Sequence, residues 1–267
     1  MNQFFKSKVN HLLSVSLIIF LMFSCSKTTE SANPDFYQIK IYKLSSDEQV
    51  SGMDKYLKEA YIPALHRAGI SKVGVFKPVE GDTVAGKVIV VWIPFKSLKQ
   101  MDDLPMILDK DAKYLTEGAD YIDAAYNNTP YSRIETILLK AFRDMPQFEV
   151  PDHNTPVSER IYELRSYQGP TEKIFRKKVE MFNEGGEMKI FKELNFKAVF
   201  YAEVISGSTM PNLMYMTTHA NKQSREENWN AFRAHPDWKT LSAMEKYKNT
   251  VSKITIWLMH PADYSEI

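Results

Sequence analysis

One plan is written twice in this chain, and the repetition constrains the fold more than any other feature. An alternating strand, Tyr37-Gln-Ile-Lys-Ile-Tyr42, leads into a helical stretch over about 52–68, where Met53, Tyr56, Leu57, Ala60 and Ala64 recur at helical spacing. A β-hairpin follows, Val73-Gly-Val-Phe76 through Glu80-Gly-Asp82 to Val88-Ile-Val-Val-Trp-Ile93, then a second helix and a last strand, Ser132-Arg-Ile-Glu-Thr-Ile137. The order then returns. Arg160-Ile-Tyr-Glu-Leu-Arg165 opens it, and a helical stretch over about 171–194 is broken by Gly185-Gly186. A second hairpin runs from Ala198-Val-Phe-Tyr201 through Ser206-Gly-Ser208 to Leu213-Met-Tyr-Met-Thr217, and the last strand is Ser252-Lys-Ile-Thr-Ile-Trp257. Val75-Phe76 align with Val199-Phe200, and Val91 with Tyr215, at a common offset of 124.

The order β-α-β-β-α-β is the ferredoxin-like motif. Such a sheet carries helices on one face only, and its other face must be covered. A second copy in the same chain supplies the cover. The expectation is therefore an α+β fold: two tandem ferredoxin-like halves packed sheet against sheet as a pseudo-dimeric α/β barrel, with helices outside. The alternative is two halves that do not pack together. The expected boundaries are 36–143 for the first half and 158–264 for the second. A linker over 144–157 contains Pro146, Pro151 and Pro156. A monomer would satisfy the barrel internally, although a homodimer stays open.

The amino terminus reads as an address. Lys6 and Lys8 precede an apolar run from Leu12 to Phe23, interrupted only by Ser14 and Ser16. That run is short for a membrane span and suits a signal h-region. Cys25, the chain's one cysteine, follows it after the small residue Ser24 and resembles the lipidated cysteine of a bacterial lipobox, in a looser form with Met22 and Phe23. The alternative is an uncleaved anchor helix with an incidental cysteine. The first reading makes 1–24 a lipoprotein signal peptide and 25–35 a polar tether. It puts the protein in the cell envelope, held to a bacterial membrane through Cys25 and facing the periplasm or the outside. Removing Lys6 and Lys8 leaves 32 basic residues against 33 acidic ones. A nearly neutral chain gives no argument for nucleic acid as a partner.

Several short runs in the second half carry a family likeness. They are Arg160-Ile-Tyr-Glu-Leu-Arg-Ser-Tyr167, Phe200-Tyr-Ala-Glu203, Pro211-Asn-Leu-Met-Tyr-Met216, Trp229-Asn-Ala-Phe232, His235-Pro-Asp-Trp-Lys239 and Val251-Ser-Lys-Ile254. In their order and spacing they resemble the NIPSNAP family, and the first half looks like a diverged copy. The resemblance implies the dimeric α/β barrel superfamily. That group spans cofactor-free monooxygenases, haem-binding enzymes, small-ring isomerases and proteins of no known activity. It carries over no catalytic residues.

No Gly-rich phosphate loop, His-Glu-x-x-His, cysteine metal cluster or Gly-x-Ser-x-Gly elbow is present, so no cofactor or metal is expected. The informative comparison is between the hairpins. Val75, Lys77 and Val79, then Ile89, Val91, Ile93 and Phe95, correspond to Val199, Tyr201 and Glu203, then Leu213, Tyr215, Thr217 and His219. A mostly apolar face has gained Tyr, Glu, Tyr, Thr and His, and buried polar groups need partners. Either they satisfy one another or they hold a ligand. In the second case His219 and Glu203 form an acid–base pair with Tyr201 as a hydroxyl donor, and these three are the catalytic candidates. Glu163 and Arg165 share a strand face and either hold a polar ligand or form an ion pair. His235 stops a helix and is a further ligand-binding candidate. Ser224 with Glu227 suggests a capping box, and Asp237 an N-cap. Arg225 reads as an anion site or a solvated charge.

Three functions stay open at this level. The first is an envelope protein that binds a small organic ligand in its second half. The second is a cofactor-independent or haem-type oxidoreductase or isomerase. The third is an interaction scaffold without a pocket.

Overall fold

The computed structural model describes residues 33–267. The expected signal segment, Cys25 and nearly all of the expected tether lie outside the described residues. The first half runs β1 (Phe36–Lys43), α1 (Asp47–Lys55), a π-helical turn (Tyr56–Tyr61), α2 (Ile62–Arg67), β2 (Gly74–Pro78), β3 (Val88–Phe95), α3 (Leu98–Leu108), α4 (Ala112–Glu117), α5 (Ala119–Ile122) and β4 (Arg133–Ala141). The second runs β5 (Ile161–Gln168), α6 (Glu172–Phe182), α7 (Glu187–Glu193), β6 (Lys197–Ser206), β7 (Asn212–His219), α8 (Lys222–Ala234), α9 (Pro236–Ala243) and β8 (Lys253–Pro261).

The eight strands close into a barrel in the order β1-β3-β2-β8-β5-β7-β6-β4. Each half contributes four neighbours in the ferredoxin-like order, β4-β1-β3-β2 and β8-β5-β7-β6. The halves join at two antiparallel seams, β2 with β8 and β4 with β6. This is the expected pseudo-dimeric barrel within one chain. Its interior is apolar, with Tyr37, Trp92 and Phe200 in mutual ring contact among Ile39, Phe76 and Met216. Alternate residues of each strand face outward to the helices. Two further cores form there, one per half, so each strand is buried on both faces along much of its length. That explains why the sequence patterning shortens the strands: β3 is buried from Ile89 to Phe95 without alternation.

Helix starts depart from expectation in three places. Helix α1 begins at Asp47 rather than near Gly52, because Ser46 accepts the Gln49 N–H and two acids occupy the first turn. Helix α8 is capped by Asn221, with Ser224 completing the capping box, so Ser224 is its third residue and not its cap. Helix α9 is capped by His235, whose Nδ1 accepts the Asp237 N–H at 3.2 Å, so Asp237 is not the cap.

The seam between β2 and β8 spans only three residue pairs, and the C-terminal tail extends it. Ala262 N–H donates to the Val75 carbonyl at 2.9 Å, and Glu266 N–H to the Val73 carbonyl at 3.0 Å. The Glu266 carboxylate accepts the Val73 N–H at 2.7 Å, and Ile267 enters the barrel core. On the other side, the segment after β4 is tied down. Pro146 accepts from Asp35 and Val199 from Glu149. His153, in the same segment, is buried and bonds Thr218 Oγ1 at 2.7 Å.

Candidate functional site

The polar residues of the second half gather between sheet and helices, not inside the barrel. β6 carries a bulge between Ala198 and Phe200. The bulge turns Val199 into the barrel core with Phe200, Ala202 and Val204, and leaves Tyr201 on the helix side with Tyr215. Strict alternation, which put Val199 and Tyr201 on one face, fails at that residue.

Glu163 is the centre of the arrangement. It is fully buried on β5 and accepts from Arg165 Nε at 2.6 Å, Arg225 Nε and Nη2 at 2.7 and 3.0 Å, and Trp229 Nε1 at 2.9 Å. Arg165 comes from the same strand two residues on, while Arg225 and Trp229 come from α8. Burial alone would raise the Glu163 pKa. The donors around it, Arg225, Arg165 and Trp229, outweigh that and hold it well below the usual carboxylate range. Arg165 also lies 3.7 Å over the Trp229 ring and donates to the Tyr167 hydroxyl at 3.1 Å. Tyr215 donates to the same hydroxyl at 2.9 Å. Next to this set, Lys178 and Glu187 form a second buried ion pair at 2.7 Å.

His219 sits at the edge of the cluster, 1% exposed. Its Nδ1 accepts from the Asn228 amide at 3.2 Å, and its Nε2 lies 3.6 Å from Glu163, beyond hydrogen-bond reach. Burial lowers its pKa more than Glu163 raises it, and the two arginine charges lower it further, so the ring is neutral. Thr217, opposite Glu163 in the ladder, and His219 Nε2 are buried polar atoms without a hydrogen-bond partner.

The acid–base pair of His219 with Glu203 is corrected by the register. Glu203 pairs with Leu213 and Lys140, at the far end of β7 from His219. Six residues of strand separate the two levels, roughly 20 Å. The carboxylate nearest His219 is Glu163. Glu203 is half-buried, with its pKa raised by burial against the pull of Lys140 and Arg176. Arg225 is not a solvated charge but a clamp on Glu163. His235 is half-buried at the start of α9, its second nitrogen 3.8 Å from Glu193. Glu193, His235 and Asp237 bring ligand atoms within 4.8 Å of one another on the surface.

Tyr201 behaves differently from the rest of the set. It lines a groove of about 400 Å³ between the segment after β4 and the elements α7 and β6. Met145, Val150 and Pro151 form one wall, Met188, Phe196 and Ala198 the other. Lys192, Lys197 and Glu149 supply charge at its edges. Lys197 Nζ donates to the Asp152 carbonyl and ties the walls together. Burial raises the Tyr201 pKa, with Glu187 and Glu149 adding to it, so the hydroxyl stays protonated.

Residues 162–266, from the start of β5 through β8, match the NIPSNAP family model. The second half is a NIPSNAP domain. This domain holds the Glu163 cluster and, together with the segment after β4, forms the Tyr201 groove. The whole barrel is similar to a monooxygenase-like protein from Lactobacillus acidophilus, with TM-score 0.56 and 8% identity over 86% of this chain and 94% of that one. It is also similar to an anthrone oxidase-like protein, with TM-score 0.52 and 8% identity over 87% and 93%. At such identities the likeness is of fold. A NIPSNAP-like domain protein from Burkholderia xenovorans gives TM-score 0.37 at 14% identity, over 40% of this chain and 90% of that one. A search of the curated proteins gives no match. Sequence reasoning missed Arg225, Trp229 and Asn228 as partners of the NIPSNAP domain's polar face. Their spacing on α8 (three and one residues apart) was the available signal.

Proposed function

We propose that the chain is a lipid-anchored protein of the cell envelope whose NIPSNAP domain binds a small organic molecule in the groove beside Tyr201. The observation that carries this reading is the groove itself, which joins mostly apolar walls to a few polar groups in a volume suited to a metabolite. Tyr201 is the one predicted site residue that borders it. The Glu163 cluster does not support binding in the same way, because its charges are spent on one another. The anchor reading rests on the position of Cys25 behind an apolar run. No helix among the described residues is long and apolar enough to cross a membrane. The oxidoreductase or isomerase reading has the shared fold as its support, and a fold hosts many chemistries.

Native mass spectrometry of the chain purified gently from its own host tests the binding reading. The expected result is a non-covalent adduct on the wild type that is lost in Val150→Trp, which fills the groove from an exposed position. A wild type without an adduct, or an adduct unchanged in Val150→Trp, would overturn it.

A further inference from the structure

The two halves put equivalent residues in equivalent places, with one difference in charge. β1 reads Tyr37-Gln38-Ile39-Lys40-Ile41-Tyr42, and β5 reads Tyr162-Glu163-Leu164-Arg165-Ser166-Tyr167. The ladders confirm the match. Lys40 pairs with Val91 and Arg165 with Tyr215, two positions already related by the hairpin offset. Lys40 therefore stands where Arg165 stands, and neutral Gln38 stands where Glu163 stands. In the NIPSNAP domain the cation is neutralised at 2.6 Å. In the first half Lys40 has no salt bridge among the described residues. Its ammonium instead lies 5.6 and 5.2 Å from the ring centres of Tyr42 and Tyr61. Burial with no opposing carboxylate lowers its pKa to about 8.

The layer above Lys40 also differs. In the NIPSNAP domain Trp229 lies on Arg165 and Arg225 reaches Glu163, so the space is filled. In the first half the corresponding helix α3 offers Met101, Leu104 and Pro105, and a cavity of about 300 Å³ stays open against Gln38 and Lys40. Tyr56, Tyr61, Tyr114 and Tyr121 also border it. These rings are held in place. Tyr56 stacks on Tyr121 at 3.7 Å and on Tyr61 at 5.6 Å, and its hydroxyl bonds that of Tyr114 at 2.8 Å. Asp109 is the carboxylate bordering the cavity, and it is exposed at the mouth.

We propose that this cavity binds a small aromatic carboxylate, with its anionic group on Lys40 in the place that the Glu163 carboxylate holds in the second half. Its ring lies among the tyrosines, whose flat apolar faces suit a planar body. An ammonium in a poorly solvated site gains most from an anion brought to it. The site is separate from the Tyr201 groove and stands or falls without it.

Calorimetric titration with benzoate and 2-naphthoate, each against its neutral amide, tests the proposal. Saturable binding of at least one acid is expected, with its amide at least about tenfold weaker, a difference of roughly 1.4 kcal/mol. Lys40→Met should show the same loss, and Lys40→Arg should keep binding. Removing an unpaired, poorly solvated cation leaves Lys40→Met folded. The comparison of acid with amide needs no variant in any case. On the wild type, raising the pH from about 7 to 9.5 should weaken acid binding as Lys40 loses its proton. The facing tyrosines, Tyr42, Tyr56, Tyr61, Tyr114 and Tyr121, all have raised pKa values and do not titrate in that window, and the other charged group facing the cavity is Asp109, exposed at its mouth. No saturable binding of either acid up to about 10 mM, a free energy near −2.7 kcal/mol, would overturn the proposal. So would equal binding of acid and amide, or of Lys40→Met and wild type.

Discussion

Charges inside a folded chain keep their ionised form only where partners hold them, and the NIPSNAP domain shows both outcomes within one cluster. Glu163 stays anionic because four N–H groups converge on it, while His219, 3.6 Å away, stays neutral because burial outweighs the pull of that carboxylate. His153 follows the same logic in the segment joining the halves. Burial first, then the charges of Lys197 and Arg160, lower its pKa to about 4, and the neutral ring bonds Thr218. The linkage has a definite sign. Between pH 6.5 and 4 the unfolded chain takes up a proton at this site and the folded one does not, so stability falls as pH falls through that window. Urea unfolding at pH 7 and pH 5 should show the loss, and His153→Gln, whose amide can still bond Thr218, should reduce it. An equal loss in the variant would mean that other groups carry the effect.

At the level of elements, the seams decide whether two half-sheets become one barrel. The β4–β6 seam has four pairs, and the β2–β8 seam has three and relies on the tail from Ala262 to Ile267. Gly74 is the tightest point of that seam. A Cβ there would meet the Phe76 ring at 2.6 Å and Ile267 Cδ1 at 2.8 Å. Gly74→Ala should therefore cost about 1–3 kcal/mol, the usual penalty for overpacking. Deleting the last three residues should cost a similar amount, because it removes the Ile267 side chain from the core and the Glu266 carboxylate from Val73. Wild-type midpoints in urea for either variant would remove the tail from this account. The repeat of strands and helices was legible because hydrophobic periodicity survives in both halves. The bulge at Val199 was not, since one inserted residue leaves no mark in a run of Val, Phe and Tyr. The caps at Asn221 and His235 were missed because either of two neighbouring polar residues could start each helix. Glu203 was matched with His219 because they share a face. A face says nothing of the distance along a strand, and the ladder puts them at opposite ends of β7. Lys40 escaped notice because its neighbours are ordinary for a strand, and its lack of a partner shows only once Glu163 is seen against Gln38.

For the molecule as a whole, the two copies have divided their roles. Both contribute one face to a shared apolar barrel core. On their outer faces, one half has filled the space between sheet and helices with braced charges, and the other has kept it open and lined with tyrosines. In this account the polar residues around Glu163 serve the fold, and the fold is one cooperative unit built from both halves. Scanning calorimetry of the wild type and Glu163→Gln tests both parts at once. The substitution strands two arginines beside a neutral amide, which costs about 3–5 kcal/mol when one partner of a buried pair is removed. For a chain of this size that lowers the midpoint by roughly 6–20 °C. The account predicts one transition in the wild type that moves down as a whole in the variant. Two transitions of which only one moves, or a midpoint that stays where it was, would contradict it.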